Sequence, residues 1–573
     1  MKPVISIALC CLFAAPLAMA QDLRHLQPEP VEPPPPPTPA TTPAPTPAPA
    51  NTLLLAQLNG VAFLADRQQL AEPVLLNSEQ LDVRALPLLQ APAFSHRLQP
   101  WLGQPLTRLD LQRLLAAVNA HYAAADRPFV RVSVPDQDIS DGILRVLVIE
   151  GRLDEVTVRG NHWFSSGSYR QAVQLQPGDA ILKSEIDAAL DWITRSNPFR
   201  SAGVTALPGT SFGTTALRLD VRERKPLRVY AGANNTGTET TDRERLVIGA
   251  NWGNALGRGH QLSGQITSSP DFHKSLGLSA NYTAPLQTWR HLLHLNAAWS
   301  RINADVPANF DSAGESAQLL AAYEIPFHPA GALRHSLRIG ADFKRSDNNL
   351  EFGGMPVTDN VTDVLQLALT WQGSLPDRYG HSALSTRLVY SPGSLNARNE
   401  DAAFEASRWG AAADYFYGRL DADRYTILPA GFGWQVSLAL QQSSDNLLGS
   451  EQLALSGVYG VRGYEENALY ADEGLLLRNE LQLPGLSLLQ PGLHSGGAED
   501  HLLLLIFADY GRGNSVTRLS GEPARQRIAA VGLGAHYSLG QHLSASLEYG
   551  WQQKDLAGQG RDNRAHMSIN VSF

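Results

Sequence analysis

Residues 565–573 read AHMSINVSF, and the fold turns on that run. Met567, Ile569, Val571 and Phe573 fall on one face and His566, Ser568, Asn570 and Ser572 on the other, the period of two that belongs to a strand. The run just upstream, HLSASLEYGW at 542–551, repeats it: Leu543, Ala545, Leu547, Tyr549 and Trp551 oppose Ser544, Ser546, Glu548 and Gly550. Both polar faces look wet. A soluble sandwich alternates in this way, and so does a transmembrane barrel whose polar faces line a lumen; the pattern alone leaves both open.

The alternation extends back to Lys225. Counting candidate strands from LRVYAGANN at 227–235 to the C-terminus gives about sixteen, an even number that suits a bacterial barrel starting and finishing on one side of the membrane. Mean hydropathy is only −0.18, but a barrel strand needs about ten alternating residues and so escapes hydropathy windows. Trp289, Trp299, Tyr537, Tyr549 and Trp551 lie at strand ends and would suit an interfacial girdle. The eleventh candidate strand ends near Ser443 and the twelfth begins near Glu473, so 444–472 becomes a long sixth extracellular loop.

Residues 51–151 and 152–225 read as two tandem modules of helix and strand. In the first, Thr107 and Asp110 form a capping-box pattern ahead of the face Leu111, Leu114, Leu115, Val118 and Tyr122, followed by the strands FVRVSV and GILRVLVIEG. In the second, the strand LDEVTVRGN precedes a helix lined by Ile186, Ala189, Leu190 and Ile193, with Ser184 and Asp187 as the expected cap. Two strands near SAGVTAL and TALRLDV follow. The segment from Ala65 to Gln104 is long for one connection.

Residues 21–50 form a proline-rich linker, expected as an extended polyproline spacer. Residues 1–20 carry one lysine, an apolar stretch and Ala18-Met19-Ala20, the pattern of a cleavable secretory signal. Both cysteines, Cys10 and Cys11, fall within it, leaving an exported chain without thiols. A net charge of −9 and a pI near 6.0 give no basic patch for nucleic acid.

Enzyme chemistry finds little support. Gly209-Thr-Ser211-Phe-Gly213 matches a serine-hydrolase pattern, but it lies between two strands and lacks the helix that a nucleophile elbow needs. His291 and His294, three apart on a strand, point to opposite faces. No metal, phosphate-loop or dinucleotide motif is present, and no cofactor is expected.

A binding constellation does better. In the twelfth candidate strand, Arg478, Glu480 and Gln482 share a face; in the thirteenth, Phe507, Asp509 and Gly511 do. Acidic groups of adjacent strands then meet in the lumen and call for a cation. Arg462, in the loop tetrad Val461-Arg462-Gly463-Tyr464, is long enough in reach to supply it by folding inward.

The tetrad resembles the loop-six signature of the outer-membrane transporters of two-partner secretion, the TpsB family, and Phe507, Asp509 and Gly511 match that family's companion F-x-D-x-G pattern. The resemblance spans nearly the whole exported chain. It implies two POTRA domains (51–151 and 152–225), a sixteen-stranded barrel from 226 to 573 with the loop 444–472 folded inward, and Phe573 as the terminal aromatic read by the barrel-assembly machinery. It also implies a monomeric pore in the outer membrane that takes an unfolded exoprotein through its periplasmic POTRA domains to the cell surface, with Arg462 anchored to Asp509. The family's N-terminal plug helix has little room here, since only QDLRHLQ precedes the prolines. The alternatives are a barrel-assembly factor of the same superfamily and a passive porin.

Overall fold

The computed structural model describes residues 26–37, 52–304, 310–352, 355–489, 500–519, 523–556 and 561–573. The expected signal, residues 1–20, and most of the linker lie outside them. The chain forms two compact units, residues 33–224 and residues 1–32 with 225–573.

In the first unit, Gly60–Leu64 runs parallel to both Ile143–Glu150 and the short Leu81–Asp82, and Val130–Ser133 completes a four-stranded sheet. Helix Arg108–Ala124 begins at Thr107, whose hydroxyl accepts from the Asp110 amide at 3.2 Å while the Asp110 carboxylate accepts from the Thr107 amide at 3.4 Å. With its start fixed, the helix buries Leu114, Val118 and Tyr122 against Phe63, Val146 and Val148; Leu111 and Leu115 sit at the margin. The long segment after Ala65 is occupied by a 3-10 turn (Arg67–Ala71), the strand Leu81–Asp82 and helix Pro92–Leu98.

The second module is a three-stranded sheet with Thr214–Glu223 between Arg152–Arg159 and Arg200–Pro208. Helix Lys183–Ser196 buries Ile186, Ala189, Trp192 and Ile193. Its start corrects the expected Ser184–Asp187 cap. Leu182 holds the cap position without a side-chain bond; the Ser184 amide donates to Asp126 Oδ1 at 2.9 Å, and its hydroxyl bonds the same carboxylate. Asp126 lies just past helix Arg108–Ala124 at φ 64°, and Asp187 pairs with Lys183 instead. A cap supplied 58 residues away leaves no local pattern.

In the second unit, sixteen strands from Leu227–Asn234 to Arg564–Ser572 form a closed antiparallel barrel. The first strand closes on the last through Tyr230↔Ser572 to Asn234↔Ser568. Closure removes the edges that would leave backbone amides unpaired in lipid. Ile248, Ile266, Leu319, Ile339, Leu367, Val531, Leu547, Met567 and Ile569 face outward and exposed, an apolar band suited to acyl chains, while Asn251, Gln265, Gln318, Glu548 and His566 are buried inside. Trp289, Tyr549 and Trp551 are also exposed. The eleventh strand is Gly433–Ser443 and the twelfth Glu473–Gln482.

Candidate functional site

Between these two strands, residues 444–472 fold into the barrel. Leu453–Ala454 pairs with Tyr470–Ala471 as a short hairpin, and Leu455, Val461, Tyr464 and Leu469 pack against Leu476, Ile528 and Ala530 of the wall. Burial of this apolar set is what makes the inward course stable in a polar lumen.

Arg462 is fully buried at the tip. Its Nε lies 2.8 Å from Asp509 Oδ2 and its Nη2 2.9 Å from Oδ1, a bidentate pair, and its amide also donates to Oδ2 at 3.2 Å. Nη1 reaches Glu480 Oε1 at 2.7 Å and Glu548 Oε1 at 3.3 Å. The guanidinium sits 3.7 Å from the Phe507 ring centroid. Burial opposes the charged form, but the Asp509 bond and the Asp509, Glu480 and Glu548 charges outweigh it and hold the Arg462 pKa above its ordinary value. The site unites the thirteenth strand (Asp500–Asn514), the twelfth and the fifteenth (Leu543–Gln552). Arg478 stands opposite Asp509 in register, 3.7 Å from Glu480.

Backbone contact explains the neighbouring residues. Gly463 has φ 90°, and a Cβ there would lie 2.8 Å from Gly550 O; one on Gly550 would lie 2.6 Å from Gly463 Cα. The two glycines let loop and wall touch main chain to main chain. Gly511 would bring a Cβ within 3.0 Å of Val461, so its lack of a side chain seats that residue. Tyr464 Oη lies 2.6 Å from Lys554 O and accepts from the Ala529 amide at 3.3 Å. The Gly463 amide donates to His566 Nε2 at 3.2 Å, which leaves the ring proton on Nδ1, 3.3 Å from Glu466 Oε1.

Further ties hold the loop elsewhere. Glu451 Oε1 meets Lys344 Nζ at 2.5 Å, and its Oε2 accepts from Gln366 at 3.0 Å and Tyr417 at 3.1 Å, on the opposite wall. At the loop's end, Arg408 grips Asp472 bidentately at 2.6 and 2.8 Å. Sequence inspection missed Glu451, Glu466, Glu548 and His566. Alternation puts Glu548 and His566 on polar faces, but which inward residues meet a loop depends on register summed over several strands.

The linker is not a free spacer over its described part. Leu26 is buried against Gly277 of the wall, the Glu29 amide donates to Tyr230 Oη at 2.9 Å, and Arg228 donates to Pro30 O and Glu29 Oε2 at 3.0 Å each. QDLRH at 21–25 lies outside the described residues, and with it the question of a plug helix. Phe573 is 80% exposed, its amide donating to Val229 O at 2.9 Å across the closing seam. The Gly209–Gly213 pattern forms the turn between Arg200–Pro208 and Thr214–Glu223, and no helix follows it. His291 bonds Tyr323 while His294 bonds Glu324. Among the described residues no cluster is arranged to hold a metal ion.

A closed sixteen-strand barrel behind POTRA-like modules defines a POTRA-bearing outer-membrane barrel protein. Residues 213–537 match the model of the haemolysin secretion/activation proteins ShlB/FhaC/HecB, and residues 77–151 match the ShlB-type POTRA domain. The chain belongs to this family, the TpsB transporters that secrete exoproteins across the outer membrane. It is 23% identical to the heme/hemopexin transporter protein HuxB of Haemophilus influenzae (strain 86-028NP), over 78% of this chain and 77% of that one. It is 24% identical to the outer membrane transporter CdiB of Dickeya dadantii, over 65% and 66%. The solved structure of CdiB from Escherichia coli shares the fold, with a TM-score of 0.70 at 18% identity over 93% of both chains. The family is one of transporters, and it works with secreted exoproteins of the TpsA type.

Proposed function

We propose that the inward loop is the resting lock of this transporter, with Arg462 as its bolt and Asp509, Glu480 and Glu548 as its keeper. The observation that carries this is the burial of one cation against three carboxylates contributed by three strands. Such a group is costly to strand and specific to one geometry, so the loop has a defined closed position. An unfolded exoprotein cannot share the lumen with the loop in that position, so passage requires the loop to shift. The POTRA domains, 51–151 and 152–225, receive the exoprotein as an extended chain by backbone pairing, which tolerates varied sequence. Arg478 and Gln482 line the path beside the lock, and Phe573 is the terminal residue read by the barrel-assembly machinery. The transporter acts as a monomer in contact with outer-membrane lipid.

Deleting the gene should remove one large exoprotein from the medium and leave other outer-membrane proteins at their normal level. A general loss of barrels would instead indicate an assembly factor, and an unchanged exoprotein profile would point to a porin. In the same cells, Arg462→Ala should unpin the loop, seen as faster proteolysis within 444–472 and an export rate changed from wild type at matched barrel abundance; loop protection and export both at the wild-type level would end the lock model.

A further inference from the structure

The outward face of the barrel changes character in one sector, at the end that carries the loop 444–472, where the thirteenth strand (Asp500–Asn514) passes to the fourteenth (Gln526–Leu539). Phe507, Asp509 and Gly511 take the lumen side, so alternation sends Ile506, Ala508, Tyr510 and Arg512 outward. Register sets Leu533, Val531, Ala529 and Arg527 beside them in that order. Ile506, Val531 and Leu533 are exposed in the band that meets acyl chains, and Tyr549 and Trp551 of the fifteenth strand, opposite Leu533 and Val531, are exposed next to them. Arg512 and Arg527 form the outward row beyond Tyr510 and Ala529, about 7 Å further along the strands.

The two arginines are partners in register, and like charges placed opposite each other weaken a ladder. With Arg518 and Arg525 they line an open cleft of about 880 Å³. Its described carboxylate, Glu473, accepts from Asn514 Nδ2 at 3.0 Å. Among the described residues no carboxylate pairs with any of the four arginines. Lys554 adds a further cation, its Nζ 6.0 Å from the Tyr510 ring centroid. Other cations at this end of the barrel are neutralised within the protein, Lys274 by Asp242, Arg345 by Asp363, Arg408 by Asp472 and Arg564 by Glu465. The uncompensated charge is thus local, in a chain whose net charge is −9.

Guanidinium forks match phosphate oxygens two at a time, and basic clusters at a membrane boundary attract anionic headgroups. A free phosphate would meet the arginines and leave the apolar rows beneath them out of the contact. A zwitterionic lipid brings its own counter-charge. A lipid with several phosphates and several acyl chains fits both parts of the surface. We infer that Arg512, Arg518, Arg525 and Arg527 hold the phosphates of a multiply phosphorylated, multiply acylated lipid of the outer leaflet, the chemistry of lipid A, with its chains laid along Ile506, Val531 and Leu533. The site lies on the outer face of the wall whose inner face carries Asp509, Ile528 and Ala530.

The full exported chain, held in uncharged detergent micelles and titrated with bisphosphorylated lipid A, tests this without any exoprotein, so the outcome is independent of the secretion function. It should bind bisphosphorylated lipid A at least tenfold more tightly than the same lipid stripped of both phosphates. Arg512→Gln with Arg527→Gln should weaken binding at least tenfold. Arg378→Gln, which removes an exposed cation from the turn between the eighth and ninth strands at the opposite end of the barrel, should leave it within twofold. Equal affinity for the two lipids, or an equal loss from Arg378→Gln, would overturn the inference in favour of indiscriminate adsorption. Wild-type affinity in the double variant would overturn it as well. Inorganic phosphate bound as tightly as lipid A would make the apolar rows irrelevant and overturn the lipid as the source of the phosphate. If the glutamine pair does not fold, Arg512→Lys with Arg527→Lys keeps the charge and loses the forks; it should weaken binding at least threefold, and unchanged affinity there would overturn the inference.

Discussion

Arg462 contacts three carboxylates with one side chain, and that geometry decides what substitution does to it. Arg462→Lys keeps the charge but loses the fork that holds both oxygens of Asp509 while Nη1 reaches Glu480. It should retain only a minor part of the anchoring, seen as faster proteolysis within 444–472. A swap of Arg462→Asp with Asp509→Arg should fail to restore the lock, because the new aspartate would face Glu480 and Glu548; full rescue of export would show that those two carboxylates do not matter. Gly550→Ala should be as damaging as a charge change, since its Cβ would meet main chain 2.6 Å away. Lifting the loop there should cost about 1–3 kcal/mol, the usual range for overpacking, read as a lower temperature of barrel unfolding on gels. The Arg462–Asp509 pairing was legible because both ends sit in short motifs with fixed alternation. Gly550 was visible only as an inward position, since its contact with Gly463 arises from how far the loop descends.

The loop as an element is held by more than its tetrad. Glu451 is fixed by Lys344, Gln366 and Tyr417, and although burial opposes its charge, the Lys344 ammonium and these bonds keep its carboxyl below the ordinary 4.5. A depressed carboxyl pKa adds stability that is present in full above the ordinary value and is lost as pH falls through the lower, folded-state one. Loop protection against protease should therefore persist at neutral pH and weaken in acid below about 4, the carboxylate range. Glu451→Gln should remove most of that acid dependence; an unchanged pH profile in the variant would assign it to another carboxylate. At this scale the strands were the readable part. Period-two alternation and turn residues mark where the eleventh strand stops and the twelfth starts, whereas the hairpin Leu453–Ala454 with Tyr470–Ala471 is too short to leave a pattern. The helix at Lys183 shows the same limit, its cap coming from Asp126 far along the chain.

For the whole molecule, architecture was more legible than traffic. Sixteen strands and two modules follow from periodicity, because lipid on one side and water on the other force each strand to alternate. The docking of the linker does not follow, since a proline run reads as a stiff spacer wherever it lies, and only Ser201, Gly203 and Arg222 reveal that it has a seat. The ties of the inward loop also have a mechanical side. Lys344, Gln366 and Tyr417 belong to the seventh, eighth and tenth strands, while Asp509, Glu548 and His566 belong to the thirteenth, fifteenth and sixteenth. One loop therefore spans the ring like a strut pinned at both ends, resisting its flattening into an ellipse. Unpinning either end does more than clear the bore: it turns a braced hoop into a pliant one, whose cross-section can then follow the shape of whatever it conducts.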